Sequence, residues 1–213
     1  MRLYLSSFRL GSAPEKFCEL VKGNNRAGVI LNAHDYFPEK ERHHCLKEEF
    51  RDLEKIGLNP EEIDLRKYNL DNEKLGEELD RYDTLWIPGG DSFLLRRAMF
   101  DSGFDKIIKN MLKEDRIVYA GYSAGVVVLA PALRGLELAD DDSKVFATYK
   151  EDCLYEGLDI LPYNIVPHYK SQHGKSELMD KVVEFFISEN MNYKTLQDGQ
   201  AIVVNGDKEE III

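Results

Sequence analysis

Through its first 130 residues or so the chain alternates short apolar runs with amphipathic segments. This alternation restricts the fold more than any other feature. "RLYLSSF", "AGVILNA", "EIDLRKY", "DTLWIPGG" and "RIVYAG" read as strands. "APEKFCELVKG", "PEKERHHCLKEEFRDLEKIG", "NEKLGEELDRY", "SFLLRRAMF" and "FDKIIKNMLKED" fall between them and read as helices. Phe17, Leu20 and Val21 share one helical face, Gly23 and Gly57 mark helix ends, and Pro38 suits a first turn. Strands alternating with helices predict an α/β fold, a mostly parallel sheet with helices on both faces. After about residue 150, "NIVPHY" reads as a strand and "KSELMDKVVEFFISENM" as a helix. "AIVVNGDKEEIII" reads as an antiparallel hairpin turning at Asn205-Gly206-Asp207, at the sheet edge. No Pro/Gly/Ser-rich linker interrupts the pattern. Residues 1–213 therefore read as a single domain, and with 43% hydrophobic residues it can bury a substantial core.

Composition narrows the function. A net charge of -11 argues against nucleic acid or an anionic membrane as partner. No apolar run approaches the roughly 20 residues of a membrane helix, and "MRLYLSSFRLG" is too broken by charge for a signal peptide. Cys18, Cys45 and Cys153 are odd in number and widely spaced, which fits a reducing cytoplasm better than a disulfide framework. The acidic run Asp140-Asp141-Asp142 reads as a solvated loop, not a metal site, and no G-x-G-x-x-G marks a dinucleotide site. No cofactor or metal is expected. Nothing in the sequence fixes the oligomeric state.

The stretch "IVYAGYSAGVVVLAP" (117–131) carries the sharpest chemical signal. "GYSAG" fits G-x-S-x-G, with an apolar strand before it and an apolar helix expected after it. A sharp strand-to-helix turn strains its central residue. Gly121 and Gly125 would remove side chains that collide there. The turn would lift the Ser123 hydroxyl clear of the sheet, beside the N–H of Ala124, where an oxyanion could form. The alternative is a tight βα turn with an incidental serine.

A serine nucleophile needs a base, and there are five histidines. His43 and His44 sit in a highly charged helix. His34 ends a strand and could line a cleft, and His173 lies in the polar "KSQHGKS". His168 closes the apolar "NIVPHY", at the strand end where open α/β sheets bind ligands, or else merely caps that strand. In "LWIPGGDSFLL", Gly89-Gly90 precede a helix beginning near Asp91-Ser92. Bare N–H groups there offer a second oxyanion donor; the alternative is an ordinary turn with an Asp or Ser N-cap.

Four blocks, "IPGGDSFLL" (87–95), "AGYSAGVVVLAP" (120–131), "VPHY" (166–169) and "LQDGQAIVV" (196–204), together resemble the aspartyl dipeptidase (peptidase E) family of serine peptidases, whose relatives include cyanophycinase. The order and spacing of the blocks, and the overall length, are similar to the family's. The resemblance implies a fold like that of class I glutamine amidotransferases, with serine at the nucleophile elbow. It implies Ser123 as nucleophile, His168 as general base and Asp198 as the carboxylate that orients the histidine. It implies an oxyanion hole from the N–H groups of Gly90 and Ala124, and a small peptide, most simply a dipeptide, as substrate. Two positions depart from the family pattern. Asp91 stands where asparagine is common, and would repel an oxyanion unless it turns away as a helix cap. The segment after His168, "KSQHGKSELMDKVV", lacks the arginine that grips an acidic substrate. An Asp-first preference would then need Arg96, Arg97, Arg134, Lys170 or Lys175 to supply the charge.

Two other readings remain. An α/β-hydrolase-type esterase would place its acid between Ser123 and His168, at Asp140, Asp141, Asp142, Asp152 or Asp159, or use His173. The same fold could also serve as a catalytically idle binding or regulatory module. Asp198 is preferred as the acid over residues 140–142, because adjacent like charges favour water while a triad acid works best buried beside one histidine nitrogen.

Overall fold

The computed structural model describes residues 1–69 and 71–213. Strand β1 (Arg2–Ser6) leads to α1 (Pro14–Leu20), β2 (Arg26–Val29), α2 (Glu39–Lys55), β3 (Asn59–Glu62) and α3 (Asn72–Leu79). Next come β4 (Thr84–Ile87), α4 (Ser92–Asp101), α5 (Phe104–Lys113), β5 (Val118–Tyr122), α6 (Ala124–Val127) and α7 (Ser143–Tyr149). The chain closes with β6 (Asn164–Val166), α8 (Ser176–Ser188), β7 (Tyr193–Thr195), β8 (Ala201–Asn205) and β9 (Lys208–Ile212). Seven strands form one sheet in the order β3-β2-β4-β5-β1-β8-β9. The first five in that order are parallel, and β8 and β9 pair antiparallel at one edge. The expected mostly parallel α/β sheet with a C-terminal antiparallel hairpin is what forms.

Alternation along each strand divides the core between two faces. Leu3, Leu5, Ile87 and Tyr119 pack with residues of α3, α4, α5 and α8. Tyr4, Val29, Trp86 and Ala120 pack with Phe17 and Leu20 of α1 and Leu46 and Leu53 of α2. Among the described residues both faces are covered by helices. The carboxyl ends of β1, β2, β4 and β5 meet on one side, where open α/β sheets place their ligands.

Several expected elements differ. "EIDLRKY" is not a strand. β3 ends at Glu62, and Leu65–Lys67 form a single 3-10 turn. Asp64 closes that turn by accepting from the Arg66 N–H and pairing with its guanidinium at 2.8 Å. Pro60, which has no N–H to give, is tolerated in β3 because that strand lies at the sheet edge. The helix after Ser123 is only four residues long. Pro131 and three consecutive valines oppose its continuation. The segment 157–161 takes up the freed carbonyls: Leu158 N–H donates to Val128 O, and the N–H groups of Ile160 and Leu161 to Leu129 O. β6 lies outside the main sheet and pairs parallel with β7; it ends at Val166, so His168 sits not at the close of the strand but in the turn that follows, at φ 58°. Helix α7 follows directly on the acidic run, where the sequence pattern predicts no helix.

Candidate active site

Ser123 stands alone between β5 and α6, at φ 50° and ψ -115°. A non-glycine residue holds such a conformation only where its surroundings fix it. Those surroundings are close. A Cβ on either Gly121 or Gly125 would drive into the carbonyl oxygen of Ile87, at the end of the neighbouring β4. The Tyr119 hydroxyl donates to Gly125 O at 2.6 Å, and Val126 and Val127 donate their N–H groups to Ser123 O. Tyr122, one residue before the serine, donates to the buried Glu49, which also accepts from Trp86 Nε1. Because the obstruction at both glycines is backbone, it cannot rotate away. Gly121→Val and Gly125→Val are each expected to destabilise the fold by more than about 3 kcal/mol, visible as a collapse of soluble yield or Tm.

His168 and Asp198 arrive from distant parts of the chain. The imidazole Nε2 lies 3.0 Å from Ser123 Oγ, and Nδ1 lies 2.8 Å from Asp198 Oδ1. Since a carboxylate only accepts, Nδ1 carries the proton and Nε2 is free to accept from the serine hydroxyl. His168 is 1% exposed. Burial pushes its pKa below the ordinary histidine value; Asp198 acts in the opposite direction, and His173 and Lys175 act with burial. The Asp198 side chain is 27% exposed, less sequestered than the sequence argument supposes.

Ser7, just beyond β1, ties the two together, and sequence reasoning missed it. Its Oγ accepts the His168 N–H at 2.8 Å and lies 2.7 Å from Asp198 Oδ1, to which it donates. The Asp198 N–H donates to Ser171 Oγ at 2.8 Å. The available signal was the pair Ser6-Ser7 closing an apolar strand, a costly place for hydroxyls unless they are hydrogen-bonded.

Beside the serine, Gly90 has φ 138°, and a Cβ there would meet Ala33 at 2.7 Å. Neither the Gly90 nor the Ala124 N–H donates to an acceptor among the described residues. Asp91 does turn away as a helix cap. Its side chain accepts from the N–H groups of Phe93 and Leu94, and Lys144 lies 3.4 Å from it. Burial and neighbouring Asp140 raise its pKa.

The acidic run is not simply solvated. Asp140 accepts from Ser92 N–H and Oγ at the start of α4 and pairs with Lys175, which leaves its side chain 7% exposed. Buried donors at a helix N-terminus replace the water that the sequence reading assigned to it. Asp141 caps Ser143, and Asp142 accepts from Tyr155. Among the described residues, none of Asp140, Asp141, Asp142, Asp152 and Asp159 bonds to His168, as an α/β-hydrolase arrangement would need.

These groups open on a cavity of about 550 Å³, lined by Phe8, His34, Gly90, Ser123, His168, His173 and charged side chains from 137–144 and Lys175. His34 is half-buried there, and its desolvation, then Arg42, pushes its pKa down to about 4. His43 and His44 are exposed on α2, away from the site. The arrangement offers a hydroxyl, a neutral imidazole oriented by a carboxylate, and two free amides at one end of the sheet. That is the equipment of acyl transfer.

Residues 35–212 match peptidase family S51. An uncharacterized peptidase of Listeria monocytogenes is 27% identical over 157 residues, covering 72% of this chain and 71% of that protein. Peptidase E of Streptomyces coelicolor is 27% identical over 151 residues, covering 68% of this chain and 58% of that protein. Among solved structures, a Listeria monocytogenes protein named as a peptidase E candidate superposes with a TM-score of 0.80 at 22% identity, over 99% of this chain and 97% of that one. At that identity the likeness speaks for the fold.

Proposed function

Because the chain belongs to peptidase family S51, a family of serine peptidases, we propose that it hydrolyses small peptides, dipeptides foremost, by covalent catalysis at Ser123. The observation that carries this reading is the unbroken hydrogen-bonded run from Ser123 Oγ through His168 to Asp198. Ser123 Oγ attacks the scissile carbonyl carbon as its proton passes to His168 Nε2. Asp198 stabilises the imidazolium, and the N–H groups of Gly90 and Ala124 take the developing oxyanion. His168 then protonates the leaving amine, which departs and leaves an acyl ester on Ser123. Water, deprotonated by the same imidazole, releases the acid. A serine-directed fluorophosphonate is expected to label Ser123 stoichiometrically, read by mass spectrometry of the peptide containing it. An unlabelled Ser123 would sink the reading and favour an idle binding module.

The cavity volume suits a small ligand. Its charge bears on which one. Asp91, Glu137, Asp140 and Asp141 line it against Lys144 and Lys175, and each lysine is already paired with one of those carboxylates. Of the other cations considered for an acidic substrate, Arg96 pairs with Asp105, Arg97 with Asp101, Arg134 lies over Tyr155 and Lys170 over Tyr169. An acidic side chain would face net negative charge and compete with Asp140 for Lys175. Across X-Leu dipeptides, Ala-Leu is expected to be cleaved at least as well as Asp-Leu. A strong Asp-Leu preference that disappears in Lys175→Ala would contradict this.

His168 works as a base only when neutral. Burial lowers its pKa, so the neutral form persists to lower pH than for a free imidazole. The acid limb of kcat/KM is therefore expected below about pH 6.5, as a pH–rate profile at low substrate would measure.

A further inference from the structure

His173 lies flat on the face of His168, with ring centroids 3.7 Å apart and planes 11° from parallel. Nothing in the attack on a peptide bond requires a second imidazole there. His173 reaches this place from the turn before α8, five residues beyond His168, so the two are not stacked by strand or helix geometry. Its Nδ1 accepts the Lys175 N–H at 3.2 Å. That nitrogen is therefore unprotonated, and the proton of the neutral ring sits on Nε2. Phe8 closes the stack from the side, with ring centroids 5.9 Å from His168 and 5.5 Å from His173.

Resting on the proposed role of His168 as base, we infer that His173 is a positioning residue whose neutral ring buttresses the His168 imidazole in line with Ser123 and Asp198, and whose protonation turns the site off. The chemistry has two sides. A neutral aromatic face attracts the imidazolium that forms on His168 as Ser123 attacks, in the manner of a cation over a ring. A protonated His173 would put a second cation against that imidazolium and lose the Lys175 N–H bond, since Nδ1 would then be a donor facing a donor. The charged groups around the pair are few. Asp198 faces His168 Nδ1 from the turn before β8. Lys175 shares the loop of His173, but its ammonium is held by Asp140. Behind Phe8, the Tyr122 hydroxyl is turned away to Glu49. Asp198 therefore favours a charged His168, and among the described residues no carboxylate bonds to His173.

The test is a set of three variants with kinetics and one titration. His173→Ala should lower kcat roughly tenfold to a hundredfold with KM little changed, because a loosened base is misplaced after substrate binds. His173→Phe keeps a flat ring without a titrating group and should recover most of that loss. His173→Arg puts a permanent planar cation on the stack, so it should depress kcat and move the acid limb of kcat/KM downward by about one pH unit. In a separate NMR titration, His168 ring signals should follow a biphasic curve in the wild type, as coupled sites do, and a single one in His173→Phe. Wild-type kinetics in His173→Ala, a Phe variant as poor as the Ala variant, or a monophasic wild-type titration would each overturn the inference. If the wild type itself neither cleaves peptides nor takes up fluorophosphonate, the peptidase reading fails instead, and the NMR titration still decides whether the two rings are coupled.

Discussion

Ser123→Ala is expected to reduce peptide hydrolysis by several orders of magnitude while leaving Tm within a degree or so of wild type. The two halves of that expectation have different physical sources. Ser123 contributes one oxygen to a half-buried turn, and its strained backbone is imposed by Ile87, Tyr119 and the glycines on either side, none of which changes. Alanine is no worse than serine at a positive φ, so the native state loses only the bond to His168. The chemistry loses its covalent route. What remains is substrate binding and two oxyanion donors, and in other serine triads that residue of catalysis is about 10³–10⁴ over water. Steady-state kinetics on a preparation free of contaminating peptidases, alongside a thermal melt, measures both. A variant that keeps a tenth of wild-type turnover would show that Ser123 is not the nucleophile.

Asp198→Asn is the second large effect, and the surrounding hydrogen bonds set its size. In another serine triad the same change costs about 10⁴ in turnover because the amide favours the wrong imidazole tautomer. Here Asp198 Oδ1 faces both His168 Nδ1 and the Ser7 hydroxyl. An asparagine that keeps its oxygen at that point satisfies both donors and preserves the tautomer. The loss is then the charge that stabilises the imidazolium, and a fall of about 10²–10³ in kcat is expected. Removing the Ser7 hydroxyl as well frees the amide to flip, so Ser7→Ala combined with Asp198→Asn should fall further than the two single effects predict. Asp141→Asn should stay near wild type. Asp140→Asn should not, because it releases Lys175 into the cavity, and its effect belongs in KM. Full activity in Asp198→Asn beside a dead Asp140→Asn would reassign the acid.

The parts of the molecule that were legible in the sequence are those fixed by neighbours along the chain. The strand–Gly–x–Ser–x–Gly–helix seam is readable from its own pattern, although what crowds its glycines is the Ile87 carbonyl of β4; the helix cap at Asp91 and the hairpin at Asn205-Gly206 need only their chain neighbours. The parts that were not legible depend on partners far away. Ser7 looks like a strand end until Asp198 and His168 are placed beside it. Asp140 looks solvated until Ser92 and Lys175 reach it from two other segments. The stretch "EIDLRKY" has strand-like residues, but Asp64 and Arg66 close on each other and turn the chain before it can pair. His173 reads as a polar-loop residue because its stacking partner, His168, lies across a turn whose course is set by packing.

The central position of β1 has a bearing on how such a protein is made. β1 hydrogen-bonds to β5 on one side and to β8 on the other, with Ser6 opposite Ala201. A chain emerging from the ribosome would thus hold β1 paired on one side only until β8 appears. Ser123 would be synthesised well before His168 and Asp198, which complete its hydrogen-bonded run. Pairings this distant in sequence form late, since the intervening loop must be closed first. The hydrogen-bonded run from Ser123 through His168 to Asp198 is therefore completed late, with the insertion of β8 beside β1.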